Sequence, residues 1–186
     1  MRISKEPEVR KQEILETAMK LFSEKGFEKT SISDIAKEIG IAQGLCYRYF
    51  PSKDILFQSA LEEYANILVS KMMENIDVKC DTLKNILDRM VLFTEQENDI
   101  PYSTFHNEKN GNFHDLLTLY MCRMLIPIVS EIIDRANKTH EINVDDVEVY
   151  ASFCVYGQLG ILLNNRISVQ EKSKKIKSFF NDLFKF

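Results

Sequence analysis

The amino-acid sequence predicts an all-α protein: a three-helix head built on a helix-turn-helix, then a helical body, about nine helices in total. Three observations lead there. The 186 residues include only four prolines and six glycines, too few for a turn-rich β fold. Apolar residues recur at i, i+3, i+4 and i+7 through most of the chain, the period of a helix with one buried face. The stretch from Thr30 to Asp54, TSISDIAKEIGIAQGLCYRYFPSKD, reads as two short helices, a glycine turn and the entry to a third helix.

The first helix is expected from Glu8. Pro7 suits its first turn, and Val9, Ile14, Leu15, Ala18, Leu21 and Phe22 form its apolar stripe. Lys25-Gly26 closes it and Phe27 tucks in behind. Ser31 is the N-cap of the next helix, with Asp34 placed to complete a capping box. Ile32, Ile35, Ala36 and Ile39 give that helix one apolar face. Gly40 fits the left-handed residue at its end, and Ile41 returns toward the core. Gln43 to Phe50 allows about two turns before Pro51, and Ser52 caps the helix that follows, with Asp54 in its first turn.

That following helix is expected from Lys53 to about Asn75, buried through Ile55, Leu56, Ala60, Leu61, Tyr64, Ile67, Leu68 and Met72. Another fits Thr82 to Gln96. Residues 98–112 are irregular, with room for a short helix around Tyr102 to Glu108. From Phe113 to Lys138 apolar residues fall on nearly every face, which predicts a buried helix, kinked near Arg123 by Pro127. Val144 to Asn165 and Val169 to Phe184 complete the set, with Ser168 and Glu171 as a second capping box. Gly157 and Gly160 lower helix propensity by about 1 kcal/mol each, which implies a close approach to the backbone there.

Composition narrows the function. Apolar residues at 45% and charged residues at 28% suit a globular protein. No run approaches the roughly 20 apolar residues needed to span a bilayer, and the N-terminus lacks the apolar core of a secretory signal, so a cytoplasmic protein is expected. Residues 1–60 carry ten basic and nine acidic side chains and the remainder fourteen and nineteen, so only the first part leans basic. There Arg2, Lys5, Arg10, Lys11, Arg48 and Lys53 can converge on one face. Cys46, Cys80, Cys122 and Cys154 form no CxxC pair and read as reduced thiols, with no metal site. His106, His114 and His140 lie in or beside loops without a metal-binding pattern. There is no GxSxG, P-loop or GxGxxG motif, so no catalytic machinery or cofactor is expected.

T-S-I-x-D-I-A, then G-I-A-x-G-x-x-Y-x-Y-F, then S-K-D-x-L, resembles the DNA-binding signature of TetR/AcrR-family bacterial transcriptional regulators. The resemblance covers Glu8 to Leu61, about a third of the chain. It implies a DNA-binding head at residues 1–52 and an effector-binding and dimerisation body at 53–186. It also implies a homodimer on a palindromic duplex operator and release by a small-molecule effector, hence a repressor. A cysteine-based redox sensor of the same fold is the alternative.

On this reading the recognition helix lies in the major groove. Tyr47, Tyr49 and Lys53 suit phosphate oxygens, and Gly44 lets the backbone approach them. Gln43 and Arg48 can bond base edges, and Leu45 can meet a thymine methyl. Thr30, Ser31 and Ser33 are assigned to DNA with them. The family usually has a capping hydroxyl at position 42 and a small polar residue at 45. Ala42 and Leu45 depart from this, which bears on the operator sequence. The effector is expected among Phe93, Phe105, Phe113, Leu117, Tyr120, Met121 and Phe153, an aromatic and methionine set suited to an apolar ligand. The dimer is expected as a four-helix bundle of the last two helices and their mates, through Gly157, Gly160, Phe179, Phe180 and Leu183.

Overall fold

The computed structural model describes residues 6–89, 111–164 and 166–185, with 111–114 as backbone alone. Among these residues there are nine helices and no strand: α1 Pro7–Lys25, α2 Ile32–Ile39, α3 Gln43–Tyr49, α4 Lys53–Met73, α5 Leu83–Arg89, α6 Gly111–Lys138, α7 Val147–Tyr156, α8 Leu159–Leu162 and α9 Val169–Phe184. The chain divides into two compact units, Met1–Ala65 with Asn98–Tyr120, and Asn66–Glu97 with Met121–Phe186.

In the first unit, α1 buries Ile14, Leu15, Ala18, Leu21 and Phe22 and ends at Gly26, whose N–H donates to Phe22 O at 2.9 Å. Gly26 has φ of 83°, open to glycine at little cost. The capping box at α2 is complete: the Ser31 hydroxyl accepts from Asp34 N, and the Asp34 carboxylate accepts from Ser31 N. Gly40, at φ 77° and ψ 35°, ends α2 in the left-handed region, and Ile41 N donates back to Ala36 O at 2.9 Å. The α1–α2 and α2–α3 pairs pack together around Ile32, Ile35, Ala36, Cys46 and Phe50, all buried. Ser52 caps α4 by accepting from Ile55 N at 3.1 Å.

The second unit has a core of Leu83, Ile86 and Leu87 from α5, Ile132, Ile133 and Ala136 from α6, Ala151 and Cys154 from α7, and Ile176, Phe180 and Phe184 from α9. Its loops are tied by side chains. The Glu141 carboxylate accepts from Leu83 N at 2.7 Å, capping α5 from a distant loop, and pairs with Arg135 at 3.3 Å. The Asn137 amide exchanges two hydrogen bonds with the Val144 backbone, each 3.1 Å. Lys172, 6% exposed, donates to Leu162 O at 2.6 Å and so closes α8.

Several expectations are corrected. The helix predicted over residues 144–165 is two: α7 starts at the Asp146 cap, and Gly157-Gln158 separates α7 from α8. At α9 the Ser168 hydroxyl accepts from Glu171 N, but the Glu171 carboxylate pairs with Lys175 at 3.5 Å, so only half of the capping-box assignment is seen. α6 runs through Pro127, and it is not buried on every face: Leu116 and Leu119 are 40% and 42% exposed. By length and composition alone its Asp115–Lys138 stretch, which contains an 18-residue window of mean hydropathy 1.7, is long and apolar enough to cross a membrane, contrary to the sequence reading. Core helices pass the same test, and Ile132, Ile133 and Ala136 belong to this unit's core. The expected helix around 102–108 and the end of that over 82–96 lie outside the described residues.

Candidate nucleic-acid interface

Two turns of helix give α3 two faces. Cys46 is fully buried and Phe50, just past the helix end, is 2% exposed, on the side of α3 that packs on α2. Gln43, Gly44, Tyr47 and Arg48 fall on the opposite side and are exposed, Tyr47 by 46%. Leu45 and Tyr49 are half-buried on the flanks. A Cβ built on Gly44 would meet nothing within 4 Å, so the chain's own packing does not require glycine there. Ala42 precedes α3 with no side-chain cap, as the sequence predicts.

The start of α2 borders this face. Ser33 is exposed. The Ser31 hydroxyl donates to the Asp34 carboxylate at 2.6 Å, which holds the Asp34 carboxyl below its ordinary range. Two of the assigned residues have partners within the chain. Thr30 is 1% exposed, with its hydroxyl within reach of Leu21 O at 3.1 Å and Gly26 O at 2.9 Å. It fastens the α1–α2 turn and is not presented to a phosphate. Lys53 is half-buried, its ammonium donating to Phe27 O at 3.0 Å and lying 4.0 Å from the centroid of the Phe27 ring. Of the other basic residues expected to converge, Arg10 is paired with Glu13, Lys11 and Arg48 are exposed, and Arg2 and Lys5 lie outside the described residues.

Phe27 is the residue the sequence reading undervalued. Its ring packs against Phe22 at 5.7 Å and Phe57 at 4.8 Å between centroids, and its carbonyl receives Lys53. The only sequence signal is a pair of aromatics, Phe22 and Phe27, flanking a glycine.

In the remainder, Leu117 and Met121 are buried and Tyr120 is half-buried on α6. Phe93, Phe105 and the Phe113 side chain lie outside the described residues. Phe153 is 73% exposed and so does not line an interior in this chain. Of the residues assigned to the dimer, Gly157 and Gly160 are exposed and Phe179 is 58% exposed. Phe180 is instead a core residue, 4% exposed, and Leu183 packs partly against the same core. Burial pushes the Cys46, Cys122 and Cys154 thiols up, Cys154 to about 12. The hydrogen bond to Asp77 pushes up that of exposed Cys80.

Residues 14–60 match the family model of bacterial regulatory proteins, tetR family. Two Bacillus subtilis HTH-type transcriptional regulators are similar in sequence. YuxN is 36% identical over 104 residues, 48% of this chain and 35% of its own length. YerO is 32% identical over 125 residues, 66% of this chain and 39% of its own. The alignment thus spans well under half the length of either relative. A transcriptional regulator from Saccharomonospora viridis, solved in complex with choline, shares the fold at TM-score 0.64 and 20% identity, over 94% of this chain and 96% of that one. A capped helix-turn-helix with a polar second helix, matched by the family model over residues 14–60, is thus a helix-turn-helix of the tetR type, set in a fold that the Saccharomonospora regulator shares along nearly the whole chain.

Proposed function

We propose that the chain is a DNA-binding transcriptional repressor of the cytoplasm, released from a palindromic operator by a small molecule. The observation that carries this reading is α3 itself. Its inner side anchors at Cys46 and Phe50, its outer side offers Gln43, Tyr47 and Arg48, and its one glycine, Gly44, has no task within the chain. Docking against a sugar-phosphate backbone supplies that task, since a bare Cα admits a phosphate closer than any side chain would. Residues 1–52 are the reading head and residues 53–186 hold effector and dimer contacts. Ser33, Tyr47 and Tyr49 hold phosphates, while Gln43 and Arg48 read bases.

Two copies pair through α7, α8 and α9, so that two heads meet half-sites about one helical turn apart. Effector binding favours a head spacing that fits DNA less well, by as much as its affinities for the two states differ. Leu117, Tyr120 and Met121 remain its candidate contacts, with Phe93, Phe105 and Phe113. The choline bound to the Saccharomonospora regulator supports a small-molecule site in a body of this fold. The raised thiol pKa values disfavour cysteine-based sensing, because the thiolate is the reactive species. Selection from a random-sequence duplex library, followed by sedimentation of the complex, tests the reading. Enrichment of an inverted repeat bound by two chains is the expected result; no retained duplex would overturn it.

A further inference from the structure

The chain enters and leaves the helix-turn-helix at one atom. The carbonyl oxygen of Phe27 accepts from Thr30 N at 3.2 Å, just before α2, and from Lys53 Nζ at 3.0 Å, the first residue of α4. The same ammonium lies 4.0 Å from the Phe27 ring centroid, and that ring packs at 4.8 Å against Phe57, one turn along α4. These contacts close α2, the glycine turn and α3 into a ring. Burial of Cys46 and Phe50 seats the inner side of α3, while its two ends carry fewer ties. It has no side-chain cap at Ala42, and it ends at Tyr49, separated from α4 only by residues 50–52. The start of α4 is therefore a second fixed point, besides the packing on α2, against which the exposed face of α3 is oriented.

We propose that Lys53 is a positioning residue for the recognition helix. Its charge is spent on the Phe27 carbonyl and ring, and it acts on DNA through α3 rather than by holding a phosphate. The inference rests on the DNA-binding reading. The chemistry is that of a half-buried ammonium: it gains from the electron-rich ring face and from a carbonyl that both lie within contact distance.

A salt titration separates the two roles, because a phosphate contact releases counterions and a contact within the protein does not. The probe is the duplex that wild type enriches from a random library. Lys53→Met keeps the aliphatic stem and loses the charge. It should weaken binding roughly three- to tenfold and leave the slope of log K against log salt unchanged. Lys53→Arg, which can keep a cation over the ring, should recover most of the affinity. Phe27→Leu removes no charge and keeps the backbone carbonyl, yet should weaken binding, and adding Lys53→Met to it should cost less than the same change costs in wild type. If Phe27→Leu does not fold, the Met and Arg variants carry the comparison alone.

Wild-type affinity in Lys53→Met would overturn the proposal. So would a slope lowered by about 0.9 in that variant, the signature of one lost phosphate contact. A wild-type chain that retains no duplex at any salt concentration would instead overturn the DNA-binding reading itself.

Discussion

Gly157 lies so close to Phe153 that a Cβ on it would sit 2.5 Å from the Phe153 carbonyl oxygen. The close approach implied by the two glycines is thus, at Gly157, one within the chain. Gly160 differs: a Cβ there would meet nothing within 4 Å. It also falls in a spaced series, Val149, Phe153, Tyr156, Gly160 and Leu163, alternating by four and three residues as along a coiled-coil seam. All five are exposed, the four side chains by 47%, 73%, 37% and 42% in order. The backbone stays in the right-handed helical region at Gly157 and Gln158, so the series continues past the end of α7.

Gly160→Leu is accordingly the cleaner test of a dimer through this seam. The new side chain finds open space in a single chain, so thermal stability of the monomer should hold or rise by up to about 1 kcal/mol from helix propensity. In a dimer it would occupy the gap between close-packed backbones. Sedimentation equilibrium should show the variant dissociating at concentrations where wild type is dimeric. Equal dimer affinity would place the interface elsewhere. Gly157→Ala should do the reverse, lowering stability by about 1–3 kcal/mol through the clash with Phe153 O.

The Asp34 carboxyl is held below its ordinary value of 3.8, first by the Ser31 hydroxyl and then by the Ser31 backbone N–H. The folded state therefore prefers the ionised form, and this contribution is complete above 3.8. It fades as pH falls through the depressed folded value. Urea midpoints of wild type and Asp34→Ala should differ by a constant amount at neutral pH, and the gap should narrow on acidification below pH 3.8. A gap independent of pH would mean that the variant loses something other than the ionised cap.

Cys80 is exposed, but its thiol is pushed up by the hydrogen bond to Asp77 and by that carboxylate's charge. Iodoacetamide should label it slowly at pH 7 and leave buried Cys46, Cys122 and Cys154 untouched in the native state. Asp77→Asn removes the charge that opposes thiolate formation, so labelling of Cys80 should accelerate. Mass spectrometry of the alkylated peptides gives both rates. Rapid labelling of wild-type Cys80 would revive the redox alternative.

The head was legible because its signals are local. A capping box, a left-handed glycine and an apolar period act within a few residues, and Ser31, Asp34 and Gly40 do what their types predict. What escaped was long-range. Nothing near Lys53 in sequence announces that its ammonium goes to Phe27, 26 residues back. Resemblance alone assigns Thr30 to DNA, whereas its burial follows from how α1 meets the turn. In the body, Phe179 and Phe180 were grouped as interface residues, yet adjacent helical positions point about 100° apart, so one is exposed and its neighbour buried. The seam through Val149 and Phe153 is a period of 3.5 in the sequence, and it competes there with the assignment of Phe153 to the effector.

Arg48 and Gln43 carry the prediction that bears most directly on function. Both are exposed on α3, one turn and a residue apart, beside Gly44 and Tyr47. Arginine can grip guanine O6 and N7 through two hydrogen bonds, and glutamine can do the same to adenine N6 and N7. A bidentate contact carries sequence information, and a contact to phosphate does not. Arg48→Ala or Gln43→Ala should therefore cost about 1–3 kcal/mol on the selected operator and relax preference at one base pair per half-site. Tyr47→Phe, which removes a phosphate-directed hydroxyl, should weaken binding to all duplexes alike. Binding measured across every single-base variant of the operator distinguishes these patterns. If Arg48→Ala weakens every sequence equally and lowers the salt slope by about 0.9, then Arg48 is a phosphate contact. Base reading would then rest on Gln43. If all three variants kept wild-type affinity and preference, the exposed face of α3 would not be the surface that meets DNA.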